Sequence, residues 1–284
     1  MTKDEQSRLD KLLAQLDLEQ LDNDLFVGEP EGGQGRMFGG FVLAQSVISA
    51  YRTVETRAIH SVHAYFLRMG KKDVPIRYVV YRIRDGGSFT TRNVVAYQSG
   101  EAIFNLSASF VKPEEGMEYQ ERMPDVPAPE GLGDWRMNHG QRSERIEQHH
   151  WTHESPVEMV SWQAPEEREM GDTPPNRGVW MRVRGTFPDE PMLHAALLTY
   201  ASDSGVVSTG RPPNLTRAGG FGASLDHTMW FHRPPKFDDW VLYTSEAPAA
   251  FANRALVFGA MFTRGGVRVA SVAQEGLHRG PRPS

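Results

Sequence analysis

The 284-residue chain contains no cysteine. That absence excludes disulfide staples, thiol nucleophiles and cysteine-ligated metals together, and it suits a reducing compartment. An excess of either charge is missing too. The 31 basic and 36 acidic side chains leave a formal net charge of −5, so there is no strong basic field to draw in nucleic acid or an anionic membrane. No apolar run approaches the roughly 18–20 residues of a spanning helix. Met1–Arg8 has no apolar signal core, and Arg282-Pro283-Ser284 is not a peroxisomal Ser-Lys-Leu address. The expectation is a cytoplasmic protein without membrane or nucleic-acid partners. What is present, 39% hydrophobic and 24% charged residues, can build cores for two domains of average size.

Residues 4–16 place Leu9, Leu12, Leu13 and Leu16 at helical spacing, which predicts an amphipathic helix. A short extended piece follows at 24–28. The turn-rich Gly32-Gly33-Gln-Gly35 and then Phe38-Gly39-Gly40 lead into Phe41–Tyr51, a segment apolar on nearly all sides and free of charge. Such a helix should be buried. Four strands are expected next, at 60–68, 75–84, 88–98 and 101–111. The Asp85-Gly86-Gly87 and Ser99-Gly100 turns imply antiparallel pairing in a meander. Residues 113–154 are rich in proline and acids, which predicts a linker running over the surface.

Beyond the linker, strands are expected at 157–163 and 178–184. The earlier order then repeats: a helix over 191–204, followed by strands at 225–233, 240–246, 253–263 and 267–275. The echo extends to residues. Ser61-Val-His-Ala-Tyr-Phe-Leu-Arg68 lies over Asp226-His-Thr-Met-Trp-Phe-His-Arg233, and Phe89–Arg92 over Phe251–Arg254. Two copies of one α+β module are therefore expected: 1–112 with the N-terminal helix, the linker 113–154, and 155–284.

Several segments resemble the bacterial acyl-CoA thioesterase II family. They are Arg36–Gln45, His60–Arg68, Arg84-Asp-Gly-Gly-Ser-Phe-Thr-Thr-Arg92 and Ile103–Phe110 in the first half. In the second half they are Tyr200-Ala-Ser-Asp203, Leu225–Pro234 and Ala273-Gln-Glu-Gly276. The order is the family's, and the matches span most of residues 20–278, poorly in the linker and at Gly205–Gly222. The resemblance implies a double hotdog, two repeats each with a central helix wrapped by an antiparallel sheet. It implies acyl-CoA hydrolysis without cofactor or metal, in a homodimer or homotetramer. The family's water-holding Asp, hydroxyl and Gln fall on Asp203, Ser224 and Gln274.

The residue types suit that chemistry. A thioester carbonyl is electrophilic and its thiolate leaves readily, so a positioned water can attack directly. Asp203 would take the proton, with its pKa raised beside an apolar helix. Ser224 and Gln274 can each accept and donate without bearing charge. A helix-start N–H would hold the oxyanion, from Gly39-Gly40 or from the turn before Pro191. The first module has no acid between Gly39 and Arg52, and the place of Gln274 falls there on Ser109. One active site per chain is expected.

Gln45, His60 and Arg92 are further candidates to touch substrate, Arg92 through a CoA phosphate. Each has a rival reading: a buried amide, a supporting histidine, a solvated strand-end arginine. His227 and His232 are open in the same way. His139, His149, His150 and His153 have no acid at ligand spacing. Gly222-Ala-Ser224-Leu-Asp226 misses the last glycine of a nucleophile elbow. An enoyl-CoA hydratase would need a histidine soon after the helix Asp, and none comes before His227. A non-catalytic acyl-CoA binding module is the remaining alternative, but no DNA-binding arm is visible for a sensor's output.

Overall fold

The computed structural model describes residues 3–33, 35–132, 155–161, 176–210 and 221–280. His139, His149, His150 and His153 lie outside them.

Helix α1 (Lys3–Leu16) buries Leu9, Leu12 and Leu16. It docks on the second half, since Gln6 Nε2 donates to the Thr186 carbonyl at 3.0 Å and Thr186 N–H donates to Gln6 Oε1 at 2.9 Å. A short hairpin, β1 (Glu19–Asp22) and β2 (Leu25–Gly28), leads to α2 (Gly39–Tyr51). Every residue of α2 from Gly40 onward is buried, as its lack of charge requires. Strands β3 (Ala58–Phe66), β4 (Ile76–Asp85), β5 (Phe89–Gln98) and β6 (Glu101–Val111) follow.

In the second half, β7 (Val157–Val160) and β8 (Asn176–Val183) precede helix α3 (Pro191–Ser202) and the single turn α4 (Val206–Thr209). Then come β9 (Phe221–Ser224), β10 (Asp226–Phe231), β11 (Val241–Phe251), β12 (Arg254–Thr263) and β13 (Arg268–Arg279).

The α+β expectation holds: among the described residues all the strand pairings are antiparallel, and one sheet of 13 strands runs in the order β1-β2-β4-β5-β6-β3-β10-β13-β12-β11-β8-β7, with β9 on β13. The simple meander does not hold. β3 pairs with β6 rather than β4, because residues 67–75 carry no tight hairpin turn and let the chain leave the sheet. The linker also does more than cross the surface. Met123, Val126 and Leu132 pack on Val160, Trp180, Trp240, Leu242 and Phe262, and Trp180 Nε1–H donates to the Pro127 carbonyl at 2.9 Å. Segment 113–132 is a strap over the outside of β7, β8, β11 and β12.

Besides the α1 contact, the halves meet at the sheet and at the buried helices. β10 pairs with β3 in the register Asp226↔Tyr65, Thr228↔His63 and Trp230↔Ser61. The sequence echo matches Ser61 to Asp226, His63 to Thr228 and Tyr65 to Trp230. The pairing is therefore self-complementary, a pseudo-two-fold through His63 and Thr228. Beneath it, α2 and α3 pack backbone to backbone. A Cβ on Gly40 would lie 2.3 Å from the Tyr200 carbonyl oxygen, so only glycine permits this approach. The same register corrects one equivalence. Thr228 faces Ala273 and His63 faces Ser107, which puts Ala108, not Ser109, in the place of Gln274.

Candidate active site

Asp203 is the C-cap residue of α3. It is only 7% exposed, at the negative end of the helix dipole. Three donors surround it. Ser224 Oγ–H donates to Asp203 Oδ1 at 3.2 Å, and so does Gln274 Nε2–H at 3.2 Å. The third is the backbone N–H of Gly40. Burial raises the carboxyl and the three hydrogen bonds hold it back, for a pKa of about 6. Gln274 Nε2 also donates to Ser224 Oγ at 2.7 Å. Asp203, Ser224 and Gln274, the residues that the family resemblance implies, thus meet in one hydrogen-bonded cluster.

Local folding explains each placement. α2 has no side-chain cap at Phe38; its Phe41 N–H turns back to the Phe38 carbonyl at 3.1 Å, and the N–H groups of Gly39 and Gly40 are left to form a positive end. The α2–α3 packing aims that end at Asp203. A Cβ on Gly39 would lie 2.5 Å from Asp203 Oδ2 and 2.8 Å from Phe66 Cε1, so this position too needs glycine. Ser224 ends β9, which is fixed by its pairing with Gly276 on β13. Gln274 sits two residues back on the same strand and points inward, 1% exposed.

Gly39 and Gly40 line the cluster as expected; three other candidates do not. Gln45 is a buried scaffold amide. It donates to the Gln15 and Glu29 carbonyls at 2.6 and 3.2 Å and accepts from Tyr78 Oη at 2.6 Å. His60 bonds Ser109 Oγ at 2.7 Å and lies six residues from Phe66 along β3, ~20 Å at strand rise. That bond ties β3 to β6. Arg92 is neither solvated nor available to a phosphate. Its guanidinium is buried and donates to Thr53 Oγ1 at 2.9 Å, the Thr53 carbonyl at 3.1 Å and Asp85 Oδ1 at 2.6 Å. The turn before Pro191 is also displaced as an oxyanion donor. It lies at the far end of the 12-residue helix α3, ~18 Å from Asp203 at helical rise.

Two more residues join the network: His227, which the sequence leaves open between substrate contact and support, and Ser202, which it does not mark. His227 is fully buried, with Nδ1 2.5 Å from Gln274 Oε1 and Nε2 2.9 Å from Ser202 Oγ. Burial lowers its pKa to about 4, so the ring is neutral at physiological pH. A signal was available: His227 alternates in phase with the buried Met229 and Phe231, and a titratable side chain on the inward face of a strand needs a partner. Ser224 and His227 do not form a nucleophile–base pair, because the serine hydroxyl serves Asp203 and the imidazole serves Gln274.

The cluster can hold and deprotonate a small polar molecule beside a set of backbone donors. Comparison with known proteins agrees with that chemistry. The family model described as acyl-CoA thioesterase matches residues 143–277, and the one described as acyl-CoA thioesterase N-terminal domain matches residues 29–111. The chain is 36% identical to acyl-coenzyme A thioesterase 8 of Mus musculus, over 93% of this chain and 87% of that protein. It is similar to the crystal structure of an acyl-CoA thioesterase II from Mycobacterium marinum, at 37% identity and a TM-score of 0.80, covering 95% of this chain and 99% of that one. A hot dog fold protein from Alicyclobacillus acidocaldarius superposes with a TM-score of 0.76 at 17% identity, covering 95% of this chain and 98% of that one. This last likeness shows the hotdog fold alone.

Proposed function

The chain belongs to the acyl-CoA thioesterase family, and on that premise we propose that it hydrolyses acyl-CoA to a fatty acid and free CoA with a water held by Asp203, Ser224 and Gln274. The reading rests on one observation above all. A buried carboxylate with a pKa of about 6 shares hydrogen bonds with a hydroxyl and an amide, beside an uncapped helix start.

Asp203 is the general base. A carboxylate of ordinary acidity is a weak base, and raising its pKa toward neutrality strengthens it while leaving it ionised at pH 7 and above. Water attacks the thioester carbonyl carbon and its proton passes to Asp203. The negative charge on the carbonyl oxygen is met by the Gly39 N–H at the start of α2. Collapse breaks the carbon–sulfur bond, the proton on Asp203 passes to the leaving thiolate, and the product acid ionises to solvent. Asp203 and Ser224 meet the water, Gln274 orients it through its hydrogen bonds to both, and Asp203 is left as the only charge in the cluster.

The chain is read as a double hotdog, with modules at 1–112 and 155–284 joined by the linker 113–154. The hydration reading gains no support: His227 reaches Asp203 only through Gln274. Thiol release from a panel of acyl-CoAs tests the function. Wild type should release thiol, and Ser224→Ala and Gln274→Ala should each lose about 10-fold to 10³-fold in kcat with KM little changed. A wild type that binds acyl-CoA without releasing thiol would make the chain a binding module.

A further inference from the structure

Gln274 is useful to the cluster in only one orientation. Its amide must turn Nε2 toward Asp203 Oδ1 and Ser224 Oγ, at 3.2 and 2.7 Å. Flipped, it would place a carbonyl oxygen against an ionised carboxylate, acceptor against acceptor. Something must set the flip, and the other end of the amide meets one group, His227 Nδ1 at 2.5 Å.

We infer that His227 is a positioning residue for the hydrolysis proposed above, on which this inference rests: as the neutral Nδ1–H tautomer it donates to Gln274 Oε1 and so locks both amide N–H groups onto Ser224 and Asp203. The rest of the network fits that assignment. With Nδ1 carrying the proton, Nε2 is bare and accepts from Ser202 Oγ–H at 2.9 Å. The Ser202 hydroxyl has one hydrogen and a second acceptor, the Thr199 carbonyl at 2.8 Å within α3, so this tautomer requires it to turn from that carbonyl to Nε2, and the helix that ends in Asp203 then holds the far side of the imidazole. Donors then run in one direction, from Ser202 to His227 to Gln274 to the carboxylate.

The fold carries its own control. The sequence echo matches His227 to Val62, and the register matches Gln274 to Ala108. Val62 and Ala108 face each other on β3 and β6, and both are buried. The same position in the same sheet is therefore built from two small apolar side chains. Burying an imidazole and an amide costs more than burying valine and alanine. The polar pair occurs in the half that carries Asp203, where its hydrogen bonds reach the cluster.

The groups facing Asp203 are few. α2 offers the Gly40 N–H, β3 the Phe66 ring, β9 Ser224 and β13 Gln274; β10 adds His227 behind Gln274. Among the described residues no charged side chain contributes to its titration. Loss of the lock should therefore show in the acid limb of activity. An amide free to flip supports the Asp203 carboxylate less, so that limb should move to higher pH.

The test uses the full chain. ¹⁵N-histidine NMR at pH 8, with His227 assigned by its loss in His227→Asn, reads the tautomer without any activity. Protonated Nδ1 and bare Nε2 are expected, and the Nε2–H form would overturn the inference. Kinetics compare wild type, Asp203→Asn, His227→Leu and His227→Asn. The leucine variant keeps bulk and removes the donor, and Val62 indicates that an apolar side chain fits this register. It should lose about 10-fold or more in kcat at little-changed KM, with the acid limb moved up. Asparagine, whose Nδ2–H can stand in for Nδ1–H, should restore most of the rate. Wild-type kinetics in His227→Leu, or equal impairment of both variants with no shift of the limb, would reduce His227 to packing. Equal activity of wild type and Asp203→Asn would sink the water-activation reading instead, while the tautomer still reports on the lock.

Discussion

Asp203 is held where a carboxylate is least comfortable, buried and at the C-terminal end of a helix. Its pKa is raised from 3.8 to about 6. A raised folded-state pKa means that the folded protein binds the proton more tightly than the unfolded chain. Stability from this group is therefore fully present below the unfolded value and is lost as pH rises through 6, by an amount on the order of 3 kcal/mol. Asp203→Asn removes the titration. The stability of the variant relative to wild type should climb between pH 4 and pH 8, as read by thermal or denaturant unfolding at several pH values. A pH-independent difference would mean that Asp203 is not perturbed. Of the residues around it, Asp203, Ser224 and Gln274 were legible because motif order and residue chemistry both point to them. Ser202 carries no mark in the sequence and His227 stays open there, since their role depends on which nitrogen faces which oxygen, and no spacing encodes that. Arg92 was misread for a related reason. Its strand position gave no sign that Thr53 and Asp85 would come together around it.

At the scale of elements, the site is made by two helix ends. The start of α2 supplies N–H groups and the end of α3 supplies the carboxylate, and two adjacent glycines let them touch. These glycines should separate by phenotype. Gly40→Ala drives a methyl into the Tyr200 carbonyl, a backbone clash that splits the helix pair. It should cost more than the ~1–3 kcal/mol of ordinary overpacking. Gly39→Ala meets the Asp203 carboxylate and the Phe66 ring, side chains that can shift. It should lose about 10²-fold in kcat with a smaller fall in Tm. If Gly39→Ala kept full activity, the approach of α2 to the base would be irrelevant to catalysis. Both helices and most strands were legible from periodicity and turns. The β3–β6 pairing was not, because a strand's partner is decided by the path of its connection and by the sheet it rejoins. The one-residue slip from Ser109 to Ala108 has a similar origin, since bulges interrupt the register at Ile59/Ser61, Ala96/Tyr97 and Met261/Phe262.

For the whole molecule, the pseudo-two-fold doubles the scaffold and not the chemistry. The first half keeps the buried helix and the strand frame but has Val62 and Ala108 where the second has His227 and Gln274. One site per chain is what we propose, with the first half supplying α2 as its wall and its donors. Along the seam between halves the sheet's outer face presents Tyr65 at 60% exposure and Trp230 at 38%, apolar area of the kind that self-association covers. A homodimer or homotetramer is expected, and light scattering on the eluting protein should return twice or four times the 31.9 kDa chain mass. A monomer at micromolar concentration would leave that face without the expected partner.

The claim that organises all three scales is that Asp203 is a base tuned by its burial. Its most direct test is the pH dependence of kcat for acyl-CoA hydrolysis by wild type and Asp203→Asn. Wild-type activity should fall below an apparent pKa near 6 as the carboxylate takes its proton. The asparagine variant should lose at least about 10²-fold in kcat, with that limb gone from what activity remains. A variant as fast as wild type, with the same acid limb, would show that another group activates the water.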